Sequence, residues 1–427
     1  MIRMTSQPFH IRLLQFFLLH LLAATSLQAQ QTVVYSPEIG HMSVAVNGDE
    51  ARLPVLTLGS ADRLTIAFDD LTPEYRRFTW RMEHCAYDWQ TTDGLFESEY
   101  MANSPMEAPI EGYEQSSLTA TLYTHYTIHI GGMRRNAVRP LISGNYRVSI
   151  FGEDDNEKPV FTTCFMVVEP QAELAAQATT DTDIDYRRSH QQLAVTAEMG
   201  SLRLINPTEE VRLSCVQNRS PHFTIHAPQP TYIMGSTLRW EHCHALIFPA
   251  GNEYRKFEMP STRIPGMHID RLRHDGEGYT ALLQPDVPRR DYFFDEDQNG
   301  RNLVYTERSN NADTEADYVL TRFTLASEEI PNAEVYVDGR WTDGSEAYRM
   351  HYNPETGSYE ADILLKQGYY SYRYLVIEPK SDSNTLIDNI DGNYYQTENE
   401  YTIYLYYRPA GTRYWQLVAI QHFNYRP

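Results

Sequence analysis

The chain has 427 residues, with 36 Lys and Arg against 57 Asp and Glu, so its formal net charge at pH 7 is −21. Such an acidic chain is not expected to bind nucleic acid non-specifically or to dock on an anionic lipid face, because both need clustered Lys and Arg. The length suggests about three domains of ordinary size, and 31 Tyr against 16 Phe and 5 Trp favour the half-buried strands of an all-β protein.

The N-terminal segment predicts export. Arg3 and Arg12 flank a stretch without acidic residues, the run LLQFFLLHLLAA at 13–24 is almost wholly apolar, and Ala29 stands at a suitable cleavage position. These features predict a cleaved secretory signal peptide over residues 1–29. A retained membrane anchor is the alternative, although the apolar run is short for a span of about 20 residues. No Cys follows the run, which disfavours a lipoprotein anchor.

Residues 30–170 alternate between apolar and polar side chains in several short runs. Period-2 alternation bounded by Gly, Pro, Asn and Asp is typical of half-buried strands. In the second run Phe78, Trp80, Met82 and His84 share one face, as alternate residues of a strand do. The region is therefore predicted to be an N-terminal β-sandwich domain. The runs are RLTIAFDDL (63–71), RRFTWRMEHCAYDW (76–89), THYTIHI (124–130), GNYRVSIFG (144–152) and VFTTCFMVVEP (160–170).

The rest of the chain is predicted to hold a linker and two further β domains. Residues 171–186 are small, polar and acidic, which favours an interdomain linker, with one helical turn at its start as an alternative. Residues 187–326 alternate again and predict a middle β-domain. Residues 327–427 carry the turn signals NPETG and KQG between strand-like runs and predict a C-terminal immunoglobulin-like sandwich. The expected fold is all-β, with about three immunoglobulin-like sandwich domains in series.

Two stretches share the pattern Arg-x-Glu-His-Cys, and both raise the question of a metal site or a nucleophile. The first contains His84 and Cys85, and the second contains His242 and Cys243, with His244 next to them. Neighbours on a strand point to opposite faces, so an adjacent His and Cys cannot easily face one ion. Zinc needs four ligands, and a Cys–His dyad is built from residues distant in sequence. Packing on opposite faces is the favoured interpretation, with metal binding and a nucleophile as alternatives.

The stretch DEDQNG at 295–300 resembles the first half of a calcium loop. Asp295, Asp297 and Asn299 stand at ligand spacing, but the twelfth position is Thr306 rather than an acidic residue. The flanking YFF and NLVY runs are predicted to be strands, whereas a calcium loop of this type lies between helices. An acidic turn joining two strands is the prediction, and a degenerate calcium site is the alternative.

No motif in the sequence indicates catalysis. A GxSxG elbow, a P-loop and an HExxH pattern are all absent from the chain. Asp69 and Asp70 are adjacent, so as strand residues they cannot act as the facing carboxyl pair of a glycosidase. They are predicted to form a turn or cap. An enzyme stays open as an alternative at this point, although nothing in the sequence indicates one, and no cofactor is expected.

The four cysteines are too few for a disulfide scaffold in a chain of this length. Domain-by-domain pairing would join Cys85 to Cys164 and Cys215 to Cys243, and sequence alone does not choose among three pairings. Buried thiols are an equal alternative, because Cys packs as a small apolar residue.

Several phrases taken together resemble one known family. In order they are LTIAFDDL, RMEHCAYDW, SSLTATLYTHYTIHI, SGNYRV, GNEYRKFE, YFFDEDQNG, VYVDGRW and QTENEYTIYLYYRPAGTRYWQL. In this order and spacing they resemble the plug protein of the type IX secretion system of Bacteroidetes-type bacteria. The most specific phrases are FDDL, HC-x-x-DW and TENEY-to-YYRP. The family-motif residues among them are Asp69, Asp70, His84, Cys85, Asp88 and Trp89.

The resemblance implies a periplasmic, multi-domain β protein without enzyme activity. Its implied task is to occlude the periplasmic opening of the outer-membrane translocon barrel when no substrate fills it. The implied partner is that barrel protein, with no nucleic acid and no direct membrane insertion, and we expect a monomer.

The last domain also resembles, more weakly, the glycogen-binding-type modules found beside sugar enzymes. VYVDGRW, the Asn353-Pro354 turn and LKQGYYSYRYLV follow that pattern. Those modules stack sugar on exposed Trp, and Trp341 is the only Trp at a comparable place, preceded by Arg340 instead of the usual Asn. An exported carbohydrate-binding protein is therefore the alternative function.

Overall fold

The computed structural model describes residues 32–72, 74–105, 109–153, 155–276, 278–379, 385–386 and 390–427, and the signal peptide predicted over 1–29 lies outside these ranges. The described residues are dominated by strands, so the predicted all-β sandwich class is confirmed.

The strands fall into three groups along the chain. The first eleven are β1 (Val33–Val34), β2 (Ile39–Val46), β3 (Val55–Thr57), β4 (Arg63–Asp70), β5 (Phe78–Cys85), β6 (Met101–Ala102), β7 (Gly112–Gln115), β8 (Thr124–Gly131), β9 (Arg139–Pro140), β10 (Gly144–Gly152) and β11 (Asp155–Val168). The next seven are β12 (Glu173–Thr179), β13 (His190–Glu198), β14 (Val211–Gln217), β15 (Thr224–His226), β16 (Tyr232–Met234), β17 (Thr237–Trp240) and β18 (Ile247–Pro249). The remainder are β19 (Arg255–Met259), β20 (Ile269–His274), β21 (Tyr279–Leu283), β22 (Asn302–Val304), β23 (Tyr318–Leu325), β24 (Glu334–Asp338), β25 (Arg349–Asn353), β26 (Ser358–Lys366), β27 (Gly368–Glu378), β28 (Thr385–Leu386), β29 (Asn399–Tyr407) and β30 (Gln416–Tyr425).

Helices in the described residues are single turns. They are α1 (Glu97–Tyr100), α2 (Pro207–Glu210) and α3 (Ala312–Glu315), with 3-10 turns at Pro221–Phe223, His244–Leu246 and Glu346–Tyr348. Within the described ranges, none of these helices has the length and apolar character that a membrane span requires.

The first unit contains β1 to β11. Its sheet β2-β4-β8-β7 packs over strands β5, β10 and β11 of a second sheet. Phe68 lies at the centre of the core, where its ring is 5.1 Å from the ring of Tyr126, 5.3 Å from Phe78 and 4.9 Å from Phe161. These aromatic side chains come from β4, β5, β8 and β11, and each points into the core, as alternate residues of half-buried strands do.

The second unit combines β12 to β18 with the last two strands, β29 and β30. The sheet β12-β13-β17-β16 covers β14, which pairs with β29 along seven residues. β30 then meets β11 of the first unit in parallel, with Val168 opposite Leu417. One nine-stranded sheet therefore runs through the first and second units.

The third unit contains β19 to β28 in a ten-stranded sheet, ordered β19-β27-β24-β25-β26-β23-β21-β20. The sheet is folded around a core in which Phe257 stacks on Tyr370 at 5.2 Å. The third unit is inserted into the second, because its strands lie between β18 and β29 in the chain.

This arrangement differs from domains in series. β19 to β23 were predicted to belong to the middle domain at 187–326 but lie in the third sheet, and β29 and β30 were predicted to belong to the C-terminal domain at 327–427 but complete the second. The predicted linker at 171–186 also contains β12, which pairs with β13 over seven residues. Small residues in β12 resemble a linker locally, and only the partner strand identifies it as part of a sheet.

Candidate functional site

Asp69, the first acidic residue of the FDDL phrase, joins the first and third units. It lies near the end of β4 with no exposed surface. Its Oδ2 accepts hydrogen bonds from Lys366 Nζ at 2.7 Å and from the Tyr318 hydroxyl at 2.6 Å, both from the third unit. Its Oδ1 lies 2.7 Å from Nδ1 of His125, the residue directly opposite on β8. Asp69 was predicted to form a turn or cap, and it is instead a buried interdomain ion-pair partner.

The surroundings of Asp69 favour its charged form. Burial alone would raise the pKa of this carboxyl, but the Lys366 charge and the His125 hydrogen bond outweigh burial and hold the pKa below its usual range. Lys366 has a further acceptor, since its Nζ also donates to the Asp313 carbonyl at 2.6 Å. The network satisfies the buried charges, as buried ions require.

Asp70 forms its hydrogen bonds with residues of the first unit. Its carboxylate accepts a two-point hydrogen bond from Arg76, with Oδ2 2.9 Å from Nε. Oδ2 also accepts the Thr72 hydroxyl at 2.8 Å, and Oδ1 accepts the Thr72 amide at 3.3 Å. The two acidic residues of FDDL therefore point in opposite directions, as strand neighbours do.

His84 and Cys85 also lie on opposite faces of the sheet. His84 packs edge-on against Tyr146 at 5.2 Å, and its Nδ1 lies 2.9 Å from the Thr92 hydroxyl. Burial lowers the pKa of His84 to about 4, and a contact from its Nε2 to the Ser143 carbonyl opposes that shift. The imidazole is therefore neutral at pH 7. Cys85 faces a different core, where burial raises the pKa of its thiol to about 12.

That second core joins the first and second units. Trp89 is buried in it, adopts a positive φ of 65°, and packs with Trp415 and Leu417 from the region of β30. Asp88 stays at the turn, where its Oδ1 accepts the Gln90 amide at 3.3 Å. The phrase HC-x-x-DW thus supplies side chains to the contact with the C-terminal hairpin.

The TENEY-to-YYRP phrase supplies the opposite side of the same contact. It contains β29, whose Tyr406 hydroxyl donates to Oδ1 of Asn145 on β10 at 2.9 Å. Asn145 in turn lies opposite Cys85 across the β5–β10 pair. The three most specific phrases of the sequence therefore lie at junctions between units, and this shared position is the strongest feature of the candidate site.

The second Arg-x-Glu-His-Cys stretch has a different structure. β17 ends at Trp240, and His242 has a positive φ of 52°, so the strand alternation predicted for His242 and Cys243 is wrong. The His242 side chain is 81% exposed and its Nδ1 lies 2.8 Å from Asp183. Cys243 is buried in the core of the second unit, and His244 begins a 3-10 turn. Over the described part of the chain, no cluster of His, Cys, Asp and Glu is arranged to hold a metal ion.

The acidic residues of DEDQNG form an ion pair and hydrogen bonds with other residues of the chain. Asp295 forms an ion pair of 2.7 Å with Lys256. Asp297 accepts the backbone amides of Tyr254 and Asn299, and burial raises the pKa of Asp297 to about 6. Asn299 adopts a positive φ of 49°. Only the downstream side is a strand, β22, so the prediction of a turn between two strands is wrong for YFF.

All four cysteines are present as thiols. Cys85 lies opposite Asn145, and Cys164 lies opposite Arg147 on the other side of β10. Because neighbouring strands are about 4.8 Å apart, the two cysteines are separated by roughly twice that distance, beyond the limit of about 7 Å between Cα atoms that a disulfide can bridge. This geometry excludes the Cys85–Cys164 pairing that the sequence left open.

Trp341 lines a cleft of about 1290 Å³ where the three units meet. Its indole Nε1 donates to the Ser371 carbonyl at 2.9 Å, and its ring packs edge-on against Tyr348 and Tyr370. The half-buried indole is thus fixed by contacts within the third unit, whereas the sugar-binding alternative needs an exposed Trp ring.

Sequence reasoning missed the residues that complete these junctions. Lys366 was assigned to the KQG turn, although it is the last residue of β26 and is fully buried. Alternation along DILLK places Lys366 on the same face as the exposed Asp362 and Leu364, so the run itself does not signal that Lys366 is buried. Arg219, Arg340 and Glu400 also carry no local signal, since their positions follow from packing between units.

Comparison with known proteins agrees with the position of these phrases. The family described as "Type 9 secretion system plug protein 1st domain" matches residues 39–169, which is most of the first unit. A crystal structure of a hypothetical protein from Parabacteroides merdae ATCC 43184 is similar at 34% identity and a TM-score of 0.87, over 93% of this chain and 100% of that one. No curated protein matches the chain.

Proposed function

Because the chain belongs to the type IX secretion system plug family, we propose that it is a non-enzymatic plug that occludes the periplasmic opening of the secretion translocon barrel when no substrate engages it. The family is one of secretion-system plugs and not a known enzyme family. Its partner would be the barrel protein, its location the periplasm beside the outer membrane, and its export the task of the predicted signal peptide.

The observation that most directly supports this proposal is that residues of the family phrases form the contacts between the units. A plug must keep its shape against a wide pore, and a body whose parts are joined by buried ion pairs and one continuous sheet suits that task. Asp69 with Lys366 joins the first and third units, while Trp89 with Trp415 joins the first and second. Residues devoted to these junctions are not available as a catalytic centre.

An affinity experiment tests the proposal. The tagged full-length chain is used to capture partners from solubilised outer membranes, beside an equally acidic β-sandwich protein carrying the same tag. The proposal expects an outer-membrane barrel of very high mass to be enriched only by the chain. Failure to enrich such a barrel from cells that assemble the translocon would contradict it.

A permeability experiment tests the sealing role separately. Deletion of the gene in cells whose translocon lacks substrate is expected to admit large antibiotics, and the intact gene is expected to restore exclusion. A deletion strain that remains impermeable under these conditions would contradict occlusion even if the barrel is captured.

A further inference from the structure

A group of three arginines gathers around one glutamate in the interdomain cleft. We call Arg219, Arg301, Arg340 and Glu400 the arginine cluster. Arg219 follows β14 in the second unit, Arg301 and Arg340 belong to the third, and Glu400 lies on β29. The carboxylate of Glu400 is 2.7 Å from Arg340 Nη2, 3.2 Å from Arg219 Nε and 3.4 Å from Arg301 Nη2.

Glu400 cannot satisfy this cluster. A carboxylate offers roughly four acceptor positions, whereas each guanidinium carries about five N–H donors. Arg219 also donates to the Ala51 carbonyl at 2.7 Å, and Arg340 Nε donates to the Asn299 carbonyl at 2.8 Å. Even so, the Nε atoms of Arg219 and Arg301 and both Nη atoms of Arg340 are buried and make no hydrogen bond of good geometry to any described residue. Oε1 of Glu400 is in the same position, although it lies within ion-pair distance of Arg340 and Arg219.

The charges do not balance either. Three guanidinium groups face one carboxylate. The nearby carboxylate of Asp338 forms an ion pair of 2.8 Å with Arg373 instead. Asp297 is the next carboxylate and already accepts two backbone amides, and counting it still leaves one positive charge in excess. An excess of buried positive charge in a chain of net charge −21 is costly unless an anion is bound.

The cluster is open to small molecules. All three arginines line the cleft, and their side chains are 18%, 30% and 12% exposed for Arg219, Arg301 and Arg340. Guanidinium groups bind carboxylate and phosphate oxygens by paired hydrogen bonds. We propose that the arginine cluster is a binding site for an oxyanion with two negative charges, of the phosphate or dicarboxylate type, which bridges the second and third units beside Glu400.

Titration calorimetry and thermal unfolding of the full chain test this site. Sodium phosphate and sodium succinate are compared at constant ionic strength, with sodium chloride as the control salt. We expect one equivalent of phosphate or succinate to bind and to raise the midpoint of unfolding beyond the effect of chloride. The anion that binds more tightly identifies the class of ligand. If neither binds beyond the chloride control, the proposal is overturned.

Variants locate the binding. Arg301→Gln removes the most exposed arginine and is expected to weaken binding at least about tenfold. Arg77→Gln is the matched control, because Arg77 is half exposed, pairs with Glu153 and lies outside the cleft. Equal binding by both variants would overturn the proposal.

Glu400→Gln supplies a second measurement that a purely structural role would not reproduce. It removes the competing carboxylate, so the anion is expected to bind more tightly and to stabilise this variant more than the wild type. Weaker binding by Glu400→Gln would contradict a site that competes with Glu400 for the same donors.

Discussion

The Asp69 carboxylate and the Lys366 ammonium face each other at 2.7 Å across the junction of the first and third units, with neither side chain exposed. Their separation in the chain is 297 residues. Such a pair contributes little net stability when both partners are present, because desolvation offsets the attraction, but removal of one partner leaves a buried charge. The pair therefore specifies how the units meet.

We expect Lys366→Met to destabilise the protein by about 3–5 kcal/mol, because Asp69 would remain buried without its counter-charge. Urea unfolding measures the change. The double variant Lys366→Met with Asp69→Asn should recover part of the loss, since it removes both charges. Arg322→Met is the control, because its ion pair with Asp362 is exposed and should be worth less than about 1 kcal/mol. Additive losses in the double variant would contradict the coupling.

The stability of the protein should fall below pH 6.5 in part because of His84. Its pKa is about 4 in the fold against 6.5 ordinarily, so between these values the unfolded chain binds more protons and stability rises with pH. At about 1.4 kcal/mol per pKa unit, the difference corresponds to roughly 3 kcal/mol lost as the pH falls through this window.

Unfolding of His84→Gln at several pH values isolates this contribution. The variant should be less stable at pH 7 but show a shallower decline between pH 6.5 and 4. His351→Gln, which changes a side chain that is 69% exposed, should retain the wild-type slope. The same slope in all three proteins would show that His84 does not titrate in this way.

Trp89 should be among the most costly residues to truncate. Trp89→Ala empties a buried space shared with Trp415 and Leu417, and core truncations of this size cost about 3–5 kcal/mol. Phe96→Ala is the control, since Phe96 is highly exposed and should change stability by less than about 0.5 kcal/mol. Chemical denaturation followed by Trp fluorescence and circular dichroism compares them.

Thiol chemistry should distinguish the native from the unfolded protein. Cys85 and Cys215 are buried, and burial raises the pKa of both thiols, to about 12 for Cys85, so neither should react with iodoacetamide at pH 8 while the fold is intact. After denaturation without reductant, mass spectrometry should find four alkylated cysteines. A peptide joining Cys85 to Cys164 would contradict the strand order β5-β10-β11.

Local alternation predicts the strands of the first unit well. The run at 144–152 coincides with β10, and the opposite faces of His84 and Cys85 follow from the same periodicity. The second Arg-x-Glu-His-Cys stretch shows why the rule fails elsewhere, since the positive φ of His242 turns the chain out of its strand. Lys366 illustrates a second failure, because only a partner 297 residues away makes a buried lysine acceptable.

The insertion of the third unit has a consequence for the order in which the parts of the chain can fold. β14 lies between β15 and β29, and β29 belongs to the last tenth of the chain. As the chain emerges from the ribosome N-terminus first, the second unit lacks half of its larger sheet until residues 399–425 have been made. The third unit has all of its strands before then and can fold while the second unit is still incomplete. A premature stop just before Asn399 would therefore leave an unpaired, apolar β14 edge, the kind of surface that quality-control proteases and aggregation both exploit.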